Sequence, residues 1–241
     1  MKNIKFYTTA LAVFLMSFLL VNLPAVAQQL RGNGNIKTES RRVSNFNGLD
    51  VSGGFIVEVT KGSNEGVRLE ADENLLDNIR TEVRDGVLHI YNEKGVTTSK
   101  AMKAYVTVEE LNNLDISGGV KVIGNSTFTP NALRLDASGG SDIKLTLDTR
   151  ELLGNLSGAS KVALSGKAGE VVMDVSGASN VNAADLQASR VKIESSGASK
   201  ARVYATEALD IDASGASAVY YKGTPSITSE TSAAARISRI K

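Results

Sequence analysis

A recurring acidic residue is the first feature of this 241-residue chain that could do chemistry. Asp50, Asp115, Asp136, Asp174, Glu194, Asp212 and Glu230 each stand two residues before a serine of a recurring small-residue turn, with Asn155 once in the same place. Carboxylates set close together repel one another, can hold Ca²⁺, and in pairs can cleave polysaccharide by acid–base catalysis. Asp136, Asp174, Glu194 and Asp212 are therefore the candidate contacts for a ligand or for Ca²⁺. A second polar column stands four residues after the turn serine: Lys121, Asp142, Lys161, Asn180, Lys200 and Arg236.

The rest of the inventory is sparse. His89 is the only histidine, and cysteine is absent. Any histidine triad or zinc site would have to be built around that one residue, which reads as an exposed strand position in Val87-Leu88-His89-Ile90-Tyr91. No glycine-rich phosphate loop opens a helix, and the Ca²⁺-binding nonapeptide Gly-Gly-x-Gly-x-Asp is missing. The acids recur in nearly every repeat, whereas an active site is a local exception to a repeat. No catalytic residue, cofactor or metal site is expected, and the acids are expected to be solvated and offset by the neighbouring Lys and Arg.

What positions these residues is the repeat. It runs Ser117-Gly118-Gly119, Ser138-Gly139-Gly140, Ser157-Gly158-Ala159, Ser176-Gly177-Ala178, Ser196-Gly197-Ala198 and Ser214-Gly215-Ala216. A worn copy stands at Ser232-Ala233-Ala234 and a distant early one at Ser52-Gly53-Gly54. From Ser117 onward the steps are 21, 19, 19, 20, 18 and 18 residues. Apolar and polar residues alternate on both sides of the turn, as in Leu133/Leu135, Val191/Ile193 and Leu209/Ile211 before it and Val122, Ile143, Val162, Val181 and Val219 after it. That is the pattern of strands with one buried face. A period near 19 is too short for a propeller blade and lacks the leucine-rich-repeat pattern. An antiparallel sandwich would also tolerate regular turns, but identical residues at identical phase favour stacking. The expectation is all-β: a right-handed parallel β-helix with coils of about 18–21 residues, each strand about 4.8 Å from its copy. Ser141, Ser160, Ser179, Ser199 and Ser217, three residues after each turn serine, are expected to form a hydroxyl ladder at the coil corner.

The ends differ. Lys2 and Lys5 precede an apolar run from Ala10 to Leu23 and the small-x-small site Ala25-Val26-Ala27. This reads as a secretory signal peptide over 1–27, cleaved after Ala27. Removing Lys2 and Lys5 from 27 basic residues leaves 25 against 26 acidic ones, a near-neutral mature chain that gives no reason to expect nucleic acid. No second apolar run follows, so no transmembrane segment is expected in the mature chain. Residues 28–40 read as a flexible lead and 41–241 as one solenoid domain, irregular over 41–115 and regular over 116–235. In the irregular part, Asp85-Gly86 reads as a hairpin turn and Glu73–Ile79 as one short helical turn.

The opening segment Arg42-Val43-Ser44-Asn45-Phe46-Asn47-Gly48-Leu49-Asp50-Val51-Ser52-Gly53-Gly54, followed by the Ser-Gly-Ala-Ser repeats, resembles the putative auto-transporter adhesin family with the head GIN domain, frequent in Bacteroidetes. The resemblance covers roughly residues 42–225. It implies a pectin-lyase-like solenoid without catalytic residues and a role in cell adhesion. Neither the amphipathic strands of a membrane barrel nor a coiled-coil stalk is seen, so export past the inner membrane is expected rather than a built-in translocator. The expected function is thus a non-enzymatic exported binding or adhesion module in the periplasm, on the outer surface or outside the cell. Its partner would be a glycan or a cell-surface protein, with a homo-oligomer left open. The alternatives are a β-helix polysaccharide lyase or glycoside hydrolase, and an envelope structural protein.

Overall fold

The computed structural model describes residues 29–97, 100, 102–232 and 234–240. The signal-peptide reading of residues 1–27, with cleavage after Ala27, lies outside the described residues.

The regular part is a stack of parallel coils, as the repeat predicts. Strands β1 (Leu30–Arg31), β2 (Ile36–Arg41), β3 (Gly48–Ser52), β4 (Phe55–Lys61) and β5 (Gly66–Asp72) come first. A 3-10 turn (Glu73–Asn78) leads into β6 (Ile79–Arg84), β7 (Val87–Asn92), β8 (Val96–Thr97) and β9 (Met102–Val108). Then come β10 (Asn113–Ser117), β11 (Lys121–Phe128), β12 (Ala132–Ala137) and four long strands that each bend round a corner: β13 (Asp142–Leu156), β14 (Lys161–Val175), β15 (Asn180–Ser195) and β16 (Lys200–Ala213). The described chain closes with β17 (Ala218–Lys222), β18 (Ser226–Thr231) and β19 (Arg236–Arg239). Each Ser-Gly turn separates two sheets. The sheet before the turn runs β7, β3, β10, β12, then the second halves of β13 to β16, then β18, all parallel. The sheet after it runs β9, β4, β11, the first halves of β13 to β16, β17 and β19.

Alternation decides what enters the core. In β13, Ile143, Leu145 and Leu147 point inward, the phase slips at the Arg150–Glu151 corner, and Leu152 and Leu156 resume the buried side. Differences in repeat length are absorbed away from the Ser-Gly turn. Register shifts lie between Ile123 and Thr127 and between Ala183 and Gln187, at the far corner. The turn itself stays in phase, because its glycines leave no slack. Gly139, Gly158, Gly177, Gly197 and Gly215 all have φ near +70°. A Cβ on any of them would lie 2.6–2.9 Å from the carbonyl oxygen of the glycine one coil below. The next residue's N–H donates to that same oxygen, from Gly140, Ala159, Ala178, Ala198 and Ala216, at 2.7–2.8 Å.

The serine column forms, but not as a ladder of hydroxyls bonded to the copy above. Ser141, Ser160, Ser179, Ser199 and Ser217 are all buried. Ser141 and Ser160 instead donate back to the carbonyls of Ser138 and Ser157 at 2.6 Å, closing their own turns. Ser217 donates to the Ser195 carbonyl, and Ser199 pairs with the Ser195 hydroxyl. A carbonyl three residues back is nearer than a hydroxyl one coil away, so it wins. The Ser179 hydroxyl has no partner among the described residues. Ser160→Ala should therefore cost about 1 kcal/mol, while Ser179→Ala should cost nothing or gain up to about 1 kcal/mol. Urea denaturation of the two variants checks this, and equal losses would contradict it.

The irregular part departs further from the sequence reading. The first coil in the stack is not the first in the chain. Strands β3 and β4 pair on one side with β7 and β9 and on the other with β10 and β11. The chain thus lays down an inner coil, adds an outer one, and returns past the first to start the repeats. The outer coil is closed by antiparallel strands: β6 on β7, β5 on β9, and β2 on β5. Such strands end the stack without offering a parallel edge for another coil. Residues 36–40, read from sequence as part of a flexible lead, form β2 together with Arg41. Arg41 fixes its end by donating to the carbonyls of Leu76 and Ile79, both at 2.9 Å. The Asp85-Gly86 turn and the short helical turn are found where expected, both turn residues having positive φ. In the last described coil the inward positions opposite Ile211 and Ala213 are Ser229 and Thr231, and β18 is exposed throughout. Polar residues at inward positions keep this coil wettable.

Candidate functional site

The backbone register turns the recurring acids into one continuous column. Asp115 lies beside Asp50 and Asp136; Asp136 beside Asn155; then Asp174, Glu194, Asp212 and Glu230 follow, one per coil. Parallel pairing in register is the reason, since it sets each residue over its own copy about 4.8 Å away. All four candidate contacts, Asp136, Asp174, Glu194 and Asp212, are therefore in the column on the outward face. Their environments differ. Arg134 pairs with Asp136 at 2.6 Å, and Asn155 Nδ2 donates to the other Asp136 oxygen at 2.6 Å. Lys192 stands 3.2 Å from Glu194. Asp174 and Asp212 make no direct hydrogen bond or ion pair among the described residues.

His89 is the member that sequence reading missed. Far from being a lone strand residue, it occupies the column position beside Asp50, with Nδ1 2.9 Å from Asp50 Oδ2. The signal was present: Leu88-His89-Ile90 has the same apolar-polar-apolar form as Leu49-Asp50-Val51 and Leu114-Asp115-Ile116. The column thus begins with an imidazole and continues through three unbroken carboxylates.

Asp115 sits in the middle of those three. Partial burial, and then the charges of Asp50 and Asp136, raise its pKa above the ordinary aspartate value, while Arg134 and His89 oppose the shift. A carboxyl whose folded pKa is raised binds its proton more tightly when folded. Its ionisation therefore weakens the fold, by nothing below the unfolded aspartate value and fully above the raised one. Asp115→Asn should be more stable than wild type at neutral pH. That advantage should vanish as the pH falls below the ordinary aspartate range of about 4. Thermal melts of both proteins from neutral to acid pH would show it; a constant difference across the range would contradict it.

A shallow groove of about 250 Å³ follows the column over four coils, lined by Asp115, Asp136, Asn155 and Asp174 with Ser138, Ser157 and Ser176 of the turns. Its polar groups are carboxylates, an amide and hydroxyls, set beside the apolar Ala137 and Leu156. Among the described residues, no three acidic or histidine side chains converge on a point as metal ligands would. The turn residues Ser117, Gly118, Ser138, Gly139, Ser157, Gly158, Ser176, Gly177, Ser196, Gly197, Ser214 and Gly215 form the corner beside the groove and shape it through backbone geometry. Across that corner the outward face carries Lys121, Lys161, Lys200 and Arg236 in one column, broken by Asp142, Asn180 and Ala218.

Among solved structures, the chain is similar to a protein named as a putative adhesin from Bacteroides fragilis. The two share 23% identity over 88% of this chain and 100% of that one, with a TM-score of 0.79. A protein from Parabacteroides distasonis named as a putative lipid binding protein is 23% identical over 89% and 100%, with a TM-score of 0.69. A putative adhesin from Parabacteroides merdae is 19% identical over 89% and 100%, with a TM-score of 0.68. At these identities the likeness shows a shared fold. No curated protein shows a significant sequence match. The family model described as "putative auto-transporter adhesin, head GIN domain" matches residues 45–225, the segment that holds most of the coils and most of both charged columns. The chain therefore belongs to the family of that description, the head GIN domain family.

Proposed function

We propose that the protein is an exported, non-enzymatic binding or adhesion module that presents its ligand with a rigid, periodic surface. The observation that carries this is the register. Outward side chains recur coil after coil at fixed spacing on both sheets, a geometry matched to an extended, repeating ligand rather than to a small substrate. The family's description as an adhesin supports the same reading. The signal-like N-terminal segment supports export to the periplasm, the outer surface or the medium. A glycan or a cell-surface protein is the expected partner. The lipid-binding name of the Parabacteroides distasonis protein adds lipid as a further class to screen. A glycan array and a cell-adhesion assay with the purified protein test the proposal. Binding in either supports it; clean negatives in both would remove its basis.

One observation favours a second reading, a polysaccharide lyase or hydrolase. Asp115, held protonated more readily than an ordinary aspartate, neighbours Asp136, which carries its own arginine. Acid–base cleavage uses two neighbouring carboxyls, one of them kept protonated. Turnover on a polysaccharide panel with and without Ca²⁺, lost in Asp115→Asn or Asp136→Asn, would establish it.

A further inference from the structure

Among the described residues, outward charges without an ion pair occur in several places, Asp174, Asp212, Lys121 and Lys161 among them, but only the last coils gather four such cations around two tyrosines. On the acidic column, Asp50, Asp136 and Glu194 each have a cation or imidazole of their own. On the other sheet, the last coils carry Lys200, Arg202, Lys222 and Arg236 on the outward side, and none of these makes an ion pair among the described residues. Between them stand two tyrosines. Lys200 Nζ is 5.2 Å and Arg202 Cζ 5.6 Å from the ring centre of Tyr220, and Lys222 Nζ is 5.1 Å from that of Tyr204. Cation–π contacts hold the charged groups over the rings without neutralising them. The outward positions of these three coils, residues 200, 202, 204, 218, 220, 222, 236 and 238, include no acid.

We propose that this lysine, arginine and tyrosine face is a binding site for an acidic polysaccharide, lying along the solenoid axis. This rests on the reading of the protein as a binding module and names its face and ligand class. The geometry fits a linear polyanion. Lys200 and Arg236 occupy one column two coils apart, about 10 Å at the parallel strand spacing. Arg202 and Lys222 flank that line on adjacent coils. Carboxylate or sulfate groups spaced along a glycan chain would meet the cations. The tyrosines offer apolar ring surface to sugar C–H groups and hydroxyls to sugar oxygens. A second copy of the chain would instead have to bring an acidic face whose carboxylates are already partly engaged.

The test is retention of polygalacturonate and dextran sulfate by the purified protein, with neutral dextran, DNA and phosphatidylglycerol vesicles as comparators. Lys200→Glu/Arg202→Glu should weaken polyanionic glycan binding at least about tenfold, since two attractive charges become repulsive. Lys200→Gln/Arg202→Gln should weaken it less, and Asp77→Asn/Glu110→Gln, at exposed acids outside both columns, not at all. Circular dichroism should be unchanged in all three. Added salt should weaken wild-type binding. Equal binding of dextran, of DNA or of vesicles would overturn the assignment, as would polyanion binding indifferent to the charge reversal. Self-association lost in the variant without any glycan binding would give the face to a second copy and also overturn it. Binding only to neutral glycans or to cells would defeat this inference and leave the binding-module reading standing; no binding to any partner would defeat both.

Discussion

Gly177→Ala is expected to destabilise the protein by about 2–4 kcal/mol, although it adds a single methyl group at an exposed turn. Two effects combine. The backbone at Gly177 has φ +69°, where any Cβ is strained. The added carbon would also stand 2.6 Å from the Gly158 carbonyl oxygen and 3.0 Å from its nitrogen. Those are backbone atoms, fixed because the same oxygen accepts the Ala178 N–H at 2.7 Å. Relief therefore requires opening the turn column, which lies in the middle of the stack. Gly140→Ala is the control. It lies outside the positive-φ set, and its Cβ would approach nothing nearer than 3.9 Å. Five other coils already have alanine there (Ala159, Ala178, Ala198, Ala216 and Ala234), so this change should be neutral or gain up to about 1 kcal/mol. Urea denaturation of the pair separates them; comparable midpoints would mean that the glycine column does not hold the coils in phase.

The second large effect concerns the core. Ile193 is fully buried in β15, and Ile193→Ala should cost about 2–5 kcal/mol through lost burial and the cavity left behind. Ile227 holds an inward position in the last described coil, opposite Leu209, yet remains 43% exposed. There the same truncation should cost well under 1 kcal/mol, because little area leaves water and no closed cavity forms. In a stack, each coil is supported only by its neighbours. Hydrogen exchange should therefore show the Ile193 variant opening first around β14 to β16. Uniform loss of protection along the chain would speak against that locality.

These expectations show how much the sequence could and could not disclose. The regular coils were legible because stacking repeats the same physical demands: glycine where φ is positive, a buried apolar residue three places after the turn, an acid two places before it. The acidic column followed from phase alone. The N-terminal order was not legible, because β7 and β9 lack the Ser-Gly turn, and nothing local tells a strand on which side of β3 to pair. His89 was lost for that reason, since its role depends on β7 lying against β3. The segment 36–41 has turn-rich, polar neighbours and little apolar pattern. Its order comes from the free edge of β5 and from the carbonyls that Arg41 reaches. The serine column was found but its bonding was not, because hydroxyl direction depends on which carbonyl is nearest. The unpaired cations beside Tyr204 and Tyr220 were likewise hidden, since overall neutrality masks a surface divided into an acidic and a basic face.

The claim at the centre is that this solenoid holds an extended ligand without cutting it. Size-exclusion chromatography with light scattering of the purified protein mixed with an acidic polysaccharide tests both halves at once. The account predicts that protein and polymer elute together and that the polymer keeps its chain length after prolonged incubation, with or without Ca²⁺. Shortened polymer, or protein and polymer that elute apart, would contradict it.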